Sequence, residues 1–136
     1  MNETRLCPFS KPLIGQWCQC AYASLAERCS GKMVCSQSER YLDSCSRLVD
    51  LFRDNARFVL GLGEHENQLT HTQLMKIRCG GLRGMQRIMQ LSTQAAPVVR
   101  DVIEAAEQQY GSIAAFPFNE IVQDIRVFSH RNKKRD

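Results

Sequence analysis

The sequence predicts an all-α fold: a compact bundle of about five helices behind an irregular N-terminal arm, forming a single domain over residues 1–136. Three observations predict it. Apolar residues recur at steps of three and four along most of the chain, which is the period of one helix face. No stretch alternates with the period of two that marks a half-buried strand. Gly, Pro, Ser and Thr fall between the periodic stretches, where helices start and stop.

Residues 1–12 read as the arm, because Pro8 and Pro12 lack an N–H and bias the residue before them away from helix. A first helix is expected from about Leu13, with Ser10 as a possible cap and with Ile14, Cys18, Ala21, Leu25 and Cys29 on one stripe. Ser30-Gly31 ends it. If that helix starts later, near Ala21, Cys18-Gln19-Cys20 is extended and both thiols reach the same side.

Ser36 or Ser38 caps a second helix, whose stripe is Tyr41, Leu42, Cys45, Leu48, Val49, Phe52, Ala56 and Val59. Gly61-Leu62-Gly63 stops it. Thr70 or Thr72 caps a third helix through Leu74, Ile77, Leu82, Met85, Ile88 and Met89. Cys79-Gly80-Gly81 interrupts its middle and predicts a kink, or a place where another group comes close. Pro97 opens a fourth helix that carries Val98, Val102 and Tyr110 and ends at Gly111. Asn119 caps the last helix, with Ile121, Ile125 and Phe128 on its apolar side, and residues 130–136 form a basic tail.

The totals exclude several classes. A net charge of +4 is too weak to argue for nucleic acid, and no apolar run is long enough for a membrane span. No phosphate-binding glycine loop, zinc-protease motif or di-iron carboxylate motif occurs, so a non-enzymatic role is expected. The N-terminus has no apolar signal stretch and the cysteine count is odd, which together predict a reducing, cytoplasmic setting.

Chemistry is concentrated in the seven cysteines: Cys7, Cys18, Cys20, Cys29, Cys35, Cys45 and Cys79. They make up roughly 5% of the chain, below the ~8–10% of a disulfide scaffold. Cys45 lies in the stripe of the second helix and reads as core, since free cysteine behaves as a small hydrophobe. Cys20 leaves the stripe of Cys18, Cys7 sits in the arm, and Cys79 precedes two glycines that leave room beside it. The proposed site takes Cys7, Cys18, Cys20 and Cys79 as thiolate ligands, with Cys35 or Cys29 as alternative fourth ligands. Four thiolates suit a 4Fe-4S iron–sulfur cluster, with zinc as the alternative metal. The absence of any Cys-x-x-Cys pair counts more against zinc and dithiol exchange than against iron–sulfur. The expected role is electron transfer to a larger metalloenzyme, or its assembly. Trp17 beside Cys18 is a core anchor that would also shield a cluster.

Two other functions fit the residues. A metal-free helical interaction or regulatory module would dock a protein partner of acidic character through Lys76, Arg83 and Arg87 of the third helix and Arg131, Lys133 and Lys134 of the tail. A thiol redox sensor would use Cys18 with Cys20, or Cys29 with Cys35, although a disulfide across one residue is strained. His65 and His71, with Glu64 and Glu66, flank a polar loop and read as a solvated turn.

Overall fold

The computed structural model describes residues 6–25, 32–36, 39–63, 69–91 and 96–129. In chain order the elements are α1 (Ser10–Ile14), β1 (Ala23–Leu25), β2 (Met33–Cys35), α2 (Glu39–Leu60), α3 (His71–Ile88), α4 (Val99–Tyr110), a 3-10 turn (Ile113–Ala115) and α5 (Phe118–Val127). The fold class is the expected one: a helical bundle of five helices, with an irregular N-terminal region.

The first helix is where the expectation fails. Instead of a helix running from about residue 13 to 29, a single turn ends at Gly15, and Gln16 takes a left-handed conformation at φ +65°. Long-range pairing then wins over local periodicity. Gln19 donates its N–H to the Pro97 carbonyl at 2.9 Å and accepts from the Val99 N–H at 2.8 Å. β1 and β2 follow as an antiparallel hairpin, with Ala23 opposite Cys35 and Leu25 opposite Met33. Leu6 bridges Val34 on the free edge of β2. Strands of three residues are too short to display a period of two.

α2 buries Leu42, Cys45, Leu48, Val49, Phe52 and Ala56, the stripe read from the sequence. Its end is a Schellman motif: Gly61 sits at φ +70°, Leu62 N–H bonds to the Arg57 carbonyl, and Gly61 N–H bonds to that of Phe58. Ser36 does not cap α2 but bonds to the Tyr22 carbonyl across the hairpin, while Ser38 lies outside the described residues. At the start of α3, Thr70 and Gln73 form a reciprocal capping box. α4 starts two residues later than Pro97 suggests, because the Pro97 carbonyl is used by Gln19. α5 starts at Phe118, after Pro117 rather than Asn119.

Cys79-Gly80-Gly81 does not break α3, which runs unbroken from His71 to Ile88. The glycines instead admit neighbours. A β-carbon on Gly80 would lie 2.6 Å from Ile125 Cα, and one on Gly84 would lie 3.0 Å from the Ile121 carbonyl oxygen. One on Gly81 would overlap the Phe52 ring. α5 therefore lies directly against the backbone of α3 while also packing on α2. Phe52 and Phe118 meet edge-on at 6.2 Å in this core, with Leu48, Ile77, Leu82, Ile103, Ile121 and Ile125 fully buried around it.

Candidate functional site

The described thiols come from the arm, the hairpin, α2 and α3. The Cys7 N–H bonds to the Met33 carbonyl, so Cys7 pairs with Met33 and shares its side of the ribbon with Cys35, two residues along β2. Cys18 and Cys20 flank Gln19, the residue tied to α4. Cys79 enters from α3 and Cys45 from α2. Cys18, Cys35, Cys45 and Cys79 are buried, Cys7 and Cys20 are half-buried, and all six are free thiols. Cys29 lies outside the described residues. Cys18 and Cys20 line an open cavity of about 420 Å³ with Leu13, Gln16, Gln19 and Met33.

The thiols influence one another electrostatically, yet they do not make a metal centre. Among the described residues, no group of three or more Cys, His, Asp or Glu side chains is gathered so that it could hold a metal ion. This overturns the proposed iron–sulfur cluster, zinc as its alternative, and the electron-transfer or assembly role built on them. The physical reason is that the thiols are dispersed over these elements and belong to the apolar interior. Cys18 and Cys45 are members of the main core cluster, with Cys7 and Cys20 packed against it.

Burial also favours the wrong protonation state for ligation, which needs thiolate. It pushes the Cys7 thiol up to about 11, against the opposing pull of the Phe9 backbone hydrogen bond and of Arg78. It pushes Cys45 up to about 12, with Arg100 opposing. Burial also drives Cys18 well above the ordinary range, and the nearby Cys79, Cys7 and Cys20 add to it.

The basic residues of α3 divide by use. Lys76 Nζ donates to the carbonyls of Arg126 and Phe128 at 2.9 and 2.8 Å, closing the C-terminal end of α5. Arg87 donates from Nε to Asp124 Oδ1 at 2.8 Å and from Nη2 to the Glu120 carbonyl at 3.1 Å. The carboxylate of Asp124 also raises the Arg87 pKa above its ordinary value. Both side chains thus clamp α3 to α5 while keeping their charge near the surface. Arg83 is half-buried on the same helix. Arg131, Lys133 and Lys134 lie outside the described residues, as does His65. Lys76→Met, which keeps the stem but loses both donors, is expected to destabilise the chain by about 1–2 kcal/mol in urea melts. An unchanged melt would remove Lys76 from the clamp.

Two features escaped the sequence. Trp17, expected as a core anchor, is half-buried and packs edge-on against Phe128, with ring centres 5.1 Å apart. Arg100 is only 5% exposed; its guanidinium stands 4.5 Å from the centre of the Tyr41 ring and 3.6 Å from Glu104. Tyr41, read as part of the α2 stripe, is therefore turned outward onto Arg100. Neither pair carries a sequence signal, since its members lie far apart in the chain. Beside Tyr41 and Arg100 runs a shallow polar groove of about 310 Å³ between α2 and α4, lined by Arg40, Tyr41, Ser44, Glu104, Glu107 and Gln108. Among the described residues, no helix is long and apolar enough to cross a membrane.

No known protein family matches this chain, and no curated protein or solved structure is significantly similar to it.

Proposed function

We propose that this chain is a helical protein-interaction module that docks an acidic partner, its described thiols serving as interior packing. One observation carries the proposal: the charges contributed by the arm and α3 are all of one sign. Residues 6–25 and the whole of α3 contain Lys11, Lys76, Arg78, Arg83 and Arg87, and not one Asp or Glu. The nearby carboxylates come from other elements: Asp124 of α5 pairs with Arg87, with Glu120 close by, and Asp50 of α2 lies near Arg78. Positive potential of this kind steers acidic partners and suppresses basic ones.

The test is fluorescence anisotropy of a labelled, tryptophan-free amphipathic peptide of about 18 residues with a Leu face and a Glu face. Binding to the full chain at about 0.01 M salt is expected to weaken at least tenfold at about 1 M, where screening shortens from ~30 to ~3 Å. A Lys-for-Glu version of the peptide is expected not to bind. Equal binding of the two versions, or tighter binding of an oligonucleotide than of the acidic peptide, overturns the proposal.

A further inference from the structure

We infer that the docking point is the junction where the arm meets the end of α5, and that its occupant is a partner segment presenting apolar side chains flanked by carboxylates. The inference rests on the interaction-module proposal and gives it a place. Trp17 and Phe128 form the floor of the junction. Ile14, at the end of α1, and Val127, beside Phe128, are 42% and 64% exposed. The floor is held rigid by the two hydrogen bonds from Lys76 to the carbonyls of Arg126 and Phe128. A surface ordered before binding loses less entropy on binding.

The charges select the occupant. Lys11, one helical turn before Ile14, and Arg126, beside Val127 in the chain, are exposed, and Lys76 supplies a third cation. Residues 6–25 and 125–129 contain no carboxylate. An uncharged apolar partner would bury these cations without counter-charge, which is costly, whereas carboxylates around an apolar anchor would satisfy them.

Two other exposed apolar side chains lack this setting. Phe58 is 94% exposed, but the face of α2 around it carries both signs, with Asp50 and Asp54 paired to Arg53 and Arg57. Tyr41 is occupied by Arg100. A short protein segment anchored at Val127 avoids the exposed Glu120, about two turns back along α5, which a flat anionic bilayer would also meet.

Trp17 is the only tryptophan in the chain, so its emission reports on this junction alone. The same acidic peptide is expected to shift Trp17 emission in step with its anisotropy. Val127→Glu and Lys11→Glu, both at exposed positions, are each expected to weaken binding at least about tenfold. Arg40→Glu, in the groove between α2 and α4, is expected to change it by less than about twofold. Circular dichroism of each variant checks that it folds. Val127→Glu binding like the parent, or anisotropy rising without a change in Trp17 emission, would overturn the junction while leaving the interaction module standing. A peptide that binds nothing at low salt overturns both. Vesicles of anionic phospholipid binding more tightly than the peptide would replace the protein segment as the occupant.

Discussion

Gly80→Ala is expected to destabilise the protein by about 2 kcal/mol, although alanine is the better helix former by about 1 kcal/mol. The new methyl group would meet Ile125 Cα at 2.6 Å, the Asp124 carbonyl oxygen at 3.0 Å and the Ile125 nitrogen at 3.1 Å. All three are backbone atoms, so no side chain can turn aside, and α5 has to move as a unit. That motion would strain the Lys76 and Arg87 clamps at the two ends of the contact.

Gly81→Ala acts differently. Its methyl group would strike the Phe52 ring, a side chain with no exposed surface that is pinned edge-on by Phe118. Shrinking the ring with Phe52→Leu is therefore expected to recover about 1 kcal/mol in the double variant, relative to the sum of the single changes. Gly63→Ala, where no atom lies within 4 Å, is the neutral comparison. Urea melts of the five variants and the parent decide the matter. A neutral Gly80→Ala would mean that α5 does not lie this close to α3, and strict additivity of Gly81→Ala and Phe52→Leu would mean that Phe52 of α2 does not fill the space beside Gly81.

The second large effect concerns the thiols. Cys7 rises from an ordinary value of 9.0 to about 11, which lowers its thiolate fraction about a hundredfold below pH 9. Cys45, at about 12, loses about a thousandfold. Alkylation by iodoacetamide at pH 8, read by peptide mass mapping, is expected to slow by these factors in the native state relative to urea. Equal rates in both states would place the thiols in water.

The same shift fixes the sign of the pH dependence. The unfolded thiol ionises first, so the stability from Cys7 is complete below pH 9 and is lost as pH rises towards about 11. Tyrosines and lysines titrate in that window too, so the comparison is with Cys7→Ala, whose stability should fall less steeply with pH. Parallel curves would refute the assignment. Burial of Cys18, which opposes its ionisation, likewise counts against the Cys18–Cys20 pair as a redox sensor, since that role needs an exposed and ionised thiol.

Much of the bundle was legible because its helices signal locally. The α2 stripe from Leu42 to Ala56, the capping pair of Thr70 and Gln73, and the helix-ending Gly61 and Gly111 depend on residues within a few positions of one another. The glycines of α3 were legible as a close approach, but not as a helix contact, because the approaching backbone lies more than forty residues away at Ile125.

What misled was the region of residues 13–29. Its apolar spacing suits a helix, yet Gln19 pairs with the backbone at residues 97 and 99, and Ala23 with Cys35. Concentration of cysteines in sequence likewise overstated their convergence in space. A thiol is also a small apolar group, and the composition of Cys7, Cys18, Cys20 and Cys79 does not distinguish a ligand set from an interior. Nothing local marks the meeting of Trp17 and Phe128, which depends on how the first and last elements come to rest.

The pairing of Gln19 with Pro97 and Val99 has a consequence for biosynthesis. A ribosome releases the arm first and the residues that receive it roughly eighty positions later. At about 5–20 residues per second, the arm waits on the order of 4–16 s before its berth exists. Through that interval Cys7 and Cys18 stand in the surrounding water at their ordinary acidity. At these two sulfurs a nascent chain is therefore far more vulnerable to oxidants than the finished one, and damage there would mark the conditions of synthesis rather than the age of the protein.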